Sequence, residues 1–489
     1  MTTTRSLPLL LLLASLFCVS FARQGNPRAV CKKIAQVIST ASAVFYPNDP
    51  EYVNDNKHWA VSSSQDSTCS FEPGTAHDLG KALRFIGREK VQFGVKSGGH
   101  ATNPGFSSTS GVQIALTRFN IVTYHQETQT ADIGTGLVFD DVYKKLERHN
   151  VAVLGGRVSG IGVGGFLLGG GYSWHTNQYG LAIDSIIEFE VVSPSGDVII
   201  INDKSNPKLF FGLKGGFNNF GIVTRITMKT FPQGAVWGGT ILYEPKYIQD
   251  VTAAFLKFTL KVTDPKASII TTFNNFLQQP VITQLFFYDG SCPPDGIFDD
   301  FLDIPSISND VSERSFLSLV QSFPANELPD ARGVFDTVPL ATFTPGLLNT
   351  IFNECLNVGK AIGASSGILA SYSSEPFLPN ILSHNCSPSA YPPTRSQAFL
   401  PFNVYIAWKD KAFDDNIFKL IHESTTRIRE SAINEGQSNI VDAPLYPNYA
   451  IFGTPLEKMY GDNVEVLEEL KTRMDPKQVM NLCGGFKFI

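Results

Sequence analysis

Nine of the seventeen residues from Gly155 to Gly171 are glycine: Gly155, Gly156, Gly160, Gly162, Gly164, Gly165, Gly169, Gly170 and Gly171. Glycine loses more conformational freedom on folding than any other residue, so such a cluster persists only where backbone must come very close to something. Successive N–H groups with no side chain in front of them form a concave anion site, and a phosphate-bearing cofactor is its natural occupant. Tight turns at sheet edges are the alternative. Gly160, Gly162 and Gly165 satisfy the dinucleotide fingerprint, with Asp184 roughly where a ribose-binding acid is expected. That fingerprint opens an ordinary helix, whereas Gly169, Gly170 and Gly171 would cost a helix about 3 kcal/mol relative to alanine. The spacing argues against a standard nicotinamide site.

A second glycine-rich turn, Lys96-Ser97-Gly98-Gly99-His100, follows a strand-like run from Val91 to Val95 and presents amides, a hydroxyl and an imidazole together. Two such loops are able to hold a pyrophosphate between them, and nothing shields the His100 ring from a bound cofactor. From Val91 to about Pro232, short β-branched runs alternate with glycine clusters, and helices fit at 76–87 and 139–150. Beyond Gly234 the clusters vanish, and strand-like runs such as Ser268-Phe273, Val281-Phe287 and Phe402-Trp408 alternate with amphipathic helical stretches. A helix is predicted over 463–474. The fold class read from this pattern is mixed α and β.

The chain has 489 residues, 43% hydrophobic and 17% charged, with 37 Phe, which excludes disorder as a whole. The formal net charge is -6, with cations scattered, so no concentrated basic surface exists for nucleic acid. Residues 1–22 combine Arg5, an apolar run through Val19 and small residues at Ser20 and Ala22, the pattern of a secretory signal peptide cleaved after Ala22. Cleavage removes Cys18 and leaves Cys31, Cys69, Cys292, Cys355, Cys386 and Cys483, which in an oxidising compartment are able to form a few staples. Asn385-Cys386-Ser387 is the single glycosylation sequon and predicts a surface loop.

Ser97-Gly98-Gly99-His100, Asp132-Ile133-Gly134-Thr135-Gly136, the run from Gly162 to Tyr172, Tyr179-Gly180-Leu181-Ala182-Ile183-Asp184, Asn219-Phe220-Gly221-Ile222-Val223-Thr224, Tyr446-Pro447-Asn448-Tyr449 and Tyr460-Gly461-Asp462-Asn463 occur in that order. In this the chain resembles the berberine-bridge-enzyme-like, FAD-linked oxidoreductases of the vanillyl-alcohol-oxidase superfamily. The resemblance implies an α+β fold with a two-subdomain, PCMH-type FAD-binding domain over 23–235. It implies an α/β substrate domain with a mainly antiparallel sheet over 236–442, and a segment, 443–489, that returns to complete the FAD domain. It places FAD against Ser97, Gly98, Gly99, Thr135, Gly136, Gly162, Gly164, Gly165, Gly169, Gly170, Gly171, Gly221 and Val223, with a covalent bond to His100. It puts Tyr449, Tyr446 and Asn448 near the flavin ring as candidate catalytic residues. A tyrosine with pKa ~10 is a poor base at neutral pH unless its surroundings lower that value.

Two departures from the family pattern bear on function. Val158 stands where many members carry a second, cysteinyl link, so a single bond through His100 is expected. Ile161 matches the gate for oxygen approach, where oxidases commonly have a smaller side chain, so the acceptor is O2 or another electron acceptor. The oligosaccharide oxidases also place a tyrosine at the position of Thr102. These differences favour a secreted enzyme that oxidises or cyclises a small secondary metabolite over a carbohydrate oxidase producing H2O2, the alternative. Tyr405 is a candidate substrate-facing residue or a half-buried sheet aromatic.

Gly363-Ala364-Ser365-Ser366-Gly367 fits the nucleophile elbow of α/β-hydrolases, with His384 or His422 as triad partners, and makes a serine hydrolase using Ser365 the distant rival. That elbow must follow a strand, yet Leu347, Leu348, Ile351, Phe352 and Leu356 fall at helical spacing upstream. No H-x-H or H-E-x-x-H pattern occurs, so no metal site is expected. A flavoprotein or secreted binding protein without catalysis is the remaining class.

Overall fold

The computed structural model describes residues 25–323, 328, 330–385 and 387–489. The signal segment 1–22, Cys18 and Cys386 lie outside the described residues.

Three large sheets organise the chain, beside a two-stranded pairing of Phe231–Pro232 with Val151–Ala152. The first has four strands in the order Ala43–Phe45, Cys69–Glu72, Val112–Ala115 and Phe93–Lys96. Phe93–Lys96 and Cys69–Glu72 both run parallel to Val112–Ala115. Parallel neighbours need a crossover, and the helix Ala76–Glu89, capped by the Thr75 hydroxyl, supplies it. Its apolar stripe, Leu79, Leu83 and Ile86, packs into a core with Phe71, Phe93 and Ile114. A Cys31–Cys69 disulfide pins the preceding helix Pro27–Val37 to this sheet. The second sheet is antiparallel, in the order Val122–His125, Thr130–Gly134, Ile222–Lys229, Ile186–Val192 and Val198–Asn202.

The third sheet has eight strands, seven of them in one path from Ser308–Asn309 through Val236–Tyr243, Gln279–Tyr288, Ala267–Phe276, Gly367–Ser374 and Leu400–Trp408 to Arg332–Leu340, with Ser312–Arg314 paired to Val236–Tyr243 off that path. Every pairing in it is antiparallel. Period-two alternation gives each strand two faces. Val334, Val338, Phe402, Val404, Ile406 and Trp408 share a core with the helices Ile248–Lys261, Pro345–Gly363 and Asp414–Asn434. The intervening residues, Phe335 and Tyr405 among them, point away from those helices. The fold is thus α+β, in agreement with the sequence pattern.

The last stretch of chain runs back to the first two sheets. Cys483 bridges in parallel to Phe93, Val479 and Met480 enter the first core, and Asn219 Nδ2 donates to the Phe486 carbonyl at 2.9 Å. The helix Asn463–Met474 falls where its spacing predicts.

Cysteine pairing is sparser than six thiols allow. One disulfide is formed among the described residues; Cys355 and Cys483 are buried free thiols and Cys292 is an exposed one. Burial pushes the Cys355 thiol up, and the Cys483 thiol too, there opposed by Lys487 and Asn218, which disfavours the reactive thiolate at both.

Candidate active site

The two glycine loops meet backbone to backbone. A Cβ on Gly98 would lie 2.5 Å from the Gly162 Cα, and one on Gly162 would lie 2.5 Å from the Gly98 nitrogen. At this point the loops hold each other. The Ser97 hydroxyl locks the junction, donating to the Thr135 carbonyl at 2.6 Å and accepting from the Gly164 amide at 3.0 Å. Thr135 continues the chain of contacts by donating to the Val223 carbonyl at 2.7 Å. Gly136 is packed against the Leu116 carbonyl, where a Cβ would come within 1.9 Å, and Gly221, with φ +144°, against Val192. Gly165 differs from all of these: a Cβ there would meet nothing within 4 Å. The cluster does open a helix, but one of only six residues, Val163–Leu168, which ends at Gly169 as the glycine triplet begins.

His100 ends the first loop under an aromatic lid. Its ring stacks on Trp59 with centroids 4.3 Å apart and planes at 15°. Trp59 is tied to both sides of the site: its amide donates to the Gly99 carbonyl, and the neighbouring Val61 amide donates to Ala331 at the edge of the large sheet. From that sheet Phe335 and Tyr405, directly paired across Arg332–Leu340 and Leu400–Trp408, close on Trp59 at 5.8 and 5.2 Å. The Nε2 atom of His100 is buried without a hydrogen-bond partner, and burial lowers the imidazole pKa to about 4. The ring is therefore neutral, with a nitrogen lone pair unspent.

Tyr449 stands beside Phe335, ring to ring at 6.1 Å. Its hydroxyl accepts from Arg157 Nη2 at 2.8 Å and donates to Glu375 Oε1 at 3.1 Å. Arg157 and Glu375 form an ion pair at 2.7 Å with side chains 9% and 3% exposed. Burial pushes the Glu375 carboxyl up and Arg157 opposes this; burial likewise lifts the Tyr449 phenol well above its usual value, with Glu375 adding and Arg157 opposing. Neither Glu375 nor Arg157 was singled out by sequence. Arg157 sits inside the glycine cluster, among residues read for their backbone. Glu375 follows the strand Gly367–Ser374 by one residue, and the register Ser371 to Tyr405 and Ser373 to Asn403 puts it, two residues further, on the same face as Tyr405. That continuation was the available signal.

The other candidates have different surroundings. The Tyr446 hydroxyl accepts from the Gly171 amide at 3.1 Å and from Asn448 Nδ2 at 2.9 Å, and Asn448 Nδ2 also donates to the Phe166 carbonyl. Both therefore brace the turn at Gly169, Gly170 and Gly171, the last two at φ +120° and +87°. Ile161 is half-buried against Gly156, and its carbonyl accepts from the Phe139 amide. Val158 and Thr102 are both aliphatic or hydroxyl side chains with no thiol or phenol to offer. Asn385 Nδ2 donates to the Asp184 carbonyl at 3.0 Å, so the sequon amide already has a structural partner.

The hydrolase elbow is corrected by the fold. Ser365 lies where the helix Pro345–Gly363 ends and the strand Gly367–Ser374 begins, the reverse of strand, turn and helix. His384 contacts the Asn177 carbonyl and His422 pairs with Asp336, so neither serves Ser365.

Residues that fit a flavin are thus present: an unpartnered buried imidazole nitrogen at His100 and an open glycine surface at Gly165. Comparison with known proteins agrees. The FAD binding domain family matches residues 68–202. An FAD-linked oxidoreductase of Arthroderma benhamiae is 38% identical over 302 residues, 60% of this chain and 59% of that protein. The FAD-dependent monooxygenase drtC of Aspergillus calidoustus is 30% identical across 94% of this chain and 90% of that one. The xylooligosaccharide oxidase of Myceliophthora thermophila superposes with a TM-score of 0.75 at 19% identity, covering 93% of this chain and 98% of its own, a likeness of fold. The chain belongs to the berberine-bridge-enzyme-like FAD-linked oxidoreductases. It is an FAD-dependent oxidoreductase.

Proposed function

We propose that the protein is a secreted oxidoreductase that holds FAD covalently through His100 alone and oxidises or oxidatively cyclises a small hydroxylated, ring-bearing secondary metabolite. The cofactor half is formed by residues 23–235 with 443–489, and the substrate half by 236–442. The observation that carries the reading is the Tyr449 hydroxyl between Arg157 and Glu375, set beside an aromatic wall.

FAD, when bound, accepts the hydrogen and electron pair of the substrate C–H bond that breaks. The chain supplies the rest. Tyr449 takes the proton of the substrate O–H and passes its own phenolic proton to Glu375 Oε1, so the base is the carboxylate and the tyrosine is its relay. The C–O bond becomes a carbonyl and the proton ends on Glu375. Phe335, Tyr405 and Trp59 offer flat apolar faces to a ring system and exclude water from the phenol. His100, held neutral by burial, keeps the lone pair that a bond to the flavin requires. Gly165 presents bare backbone to the cofactor, while Ser97, Gly98, Gly99, Thr135, Gly136, Gly162, Gly164, Gly221 and Val223 fix the shape of that surface. Tyr446 and Asn448 set the turn at Gly169, Gly170 and Gly171. Ile161 narrows the approach of O2, so another acceptor competes; Ile161→Ala is expected to speed reoxidation by O2.

Secretion is supported by the signal-like residues 1–22 and the Cys31–Cys69 disulfide. No helix among the described residues is long and apolar enough to cross a membrane. A glycan at Asn385 would have to be added before folding, since the folded amide donates to Asp184.

The test is acid precipitation of purified protein beside His100→Ala. Flavin that stays with the wild-type pellet and leaves the mutant supports the linkage; colourless wild-type protein from flavin-replete cells overturns the reading. Bleaching of the bound flavin by phenolic or alcoholic polyketides, but not by oligosaccharides, separates this reading from the carbohydrate oxidase that the shared fold keeps open.

A further inference from the structure

Arg157 is an arginine in a place that needs no side chain. It follows Gly155 and Gly156 directly, its carbonyl accepts from Trp174 Nε1 at 2.9 Å, and its guanidinium lies 5.6 Å from the Phe377 ring centre. Removing a guanidinium from water is expensive unless a partner offsets it. Here one partner is Glu375, itself buried, and the other is a neutral hydroxyl, that of Tyr449. A hydrophobic side chain of similar length would fill the same volume, so packing does not explain the charge.

We propose that Arg157 is a positioning residue of the reaction: its guanidinium fixes the Tyr449 hydroxyl opposite Glu375 and supplies the fixed positive charge against which the pair accepts the substrate proton. The inference rests on the Tyr449 and Glu375 relay proposed above. Before the reaction, Arg157 and Glu375 sum to zero. When the substrate O–H proton moves to Tyr449 and the phenolic proton to Glu375, the carboxyl becomes neutral and Arg157 is left with net charge +1. That charge offsets the electron pair leaving the substrate for FAD, so the pocket stays neutral as a whole. The other titratable groups facing the pair are Tyr446 and Tyr172, with Tyr391 beyond Tyr172. All three are neutral phenols, so among the described residues Arg157 is the one cation acting on Glu375.

The test reads protonation without needing a substrate. Infrared spectra of the holoprotein, taken across pH, follow the protonated carboxyl band that disappears in Glu375→Gln. In Arg157→Met that band is expected to titrate about one to three pH units higher than in wild type, the effect of removing an opposite charge at contact distance. Arg157→Lys restores most of the wild-type titration by returning the charge, and Arg157→Gln serves as the neutral variant should Arg157→Met fail to fold. With any substrate that bleaches the flavin, the acid limb of the rate profile is expected to move upward in parallel while flavin content stays constant. An unchanged carboxyl titration in both neutral variants overturns the proposal. Full bleaching activity in Glu375→Gln would instead overturn the relay itself, a separate failure.

Discussion

The two walls of the site are built on opposite principles. The glycine wall is made of backbone: Gly98 and Gly162 touch at distances no side chain survives, and Gly165 leaves its main chain exposed. The sheet wall is made of side chains: Phe335 and Tyr405 stand on strands whose opposite face is buried against helices, and Glu375 directly follows a third. Where two backbones touch, as at Gly98 and Gly162, no larger residue is tolerated. A side-chain wall leaves the sheet intact when residues are exchanged, so under the proposed function substrate choice is free to vary there.

Removing the base proposed at the sheet wall has the largest expected effect. Glu375→Gln and Tyr449→Phe should each lower the rate of flavin bleaching by roughly 10²–10⁴-fold, the usual contribution of general base catalysis, with flavin content preserved; Glu375→Gln also lowers the melting temperature, because it leaves the buried Arg157 guanidinium without its carboxylate. Loss of flavin in either variant would break the division of labour between the walls.

The glycine wall predicts the converse. Gly98→Ala and Gly162→Ala force a Cβ into backbone with no flexible side chain to yield, and each should destabilise the protein by about 3 kcal/mol or more, read in denaturant unfolding. Gly165→Ala meets open space inside a helix, so it should leave stability unchanged or raise it by up to ~1 kcal/mol while lowering the fraction of protein that acquires flavin. Equal damage from all three would mean that Gly165 is packed as the others are.

This contrast also explains what was legible in the sequence. Glycine spacing is local, so both loops, the His100 position and the strands around them stand out along the chain. What the motif reading did not report is that the loops touch each other, because Gly98 and Gly162 are 64 positions apart and no spacing rule reports their contact. Glu375 and Phe335 carry no motif. They reach the site through register across strands far apart in sequence, and the Phe335 to Tyr405 pair becomes visible only once Arg332–Leu340 is laid on Leu400–Trp408. Arg157 was hidden by its neighbours, since a glycine cluster directs attention to main chain. Tyr446 and Tyr449 look equivalent in Tyr446-Pro447-Asn448-Tyr449, and only the Gly171 amide and the Glu375 carboxylate tell them apart.

Acid provides the smallest effect and divides the walls by sign. On the glycine side, burial lowers the pKa values of His58, His100 and His175, the second to about 4. An unfolded chain binds protons at these sites before the folded one does, so each contributes stability that is lost as pH falls below the unfolded value of ~6.5. On the sheet side, Asp336 raises the pKa of His422, whose contribution has the opposite sign and disappears as pH rises through the folded value; that side chain is 71% exposed, so screening leaves it small. Asp55, raised by burial to about 6, gains stability in acid and partly masks the histidines. Its slope is common to wild type and to a His100→Leu variant, so the difference between their stability curves isolates His100. In flavin-free protein that difference should shrink by roughly 2 kcal/mol between pH 7.5 and pH 5. A flat difference would show that the His100 ring is solvated before flavin arrives, and that the glycine wall is shaped by its cofactor rather than waiting for it.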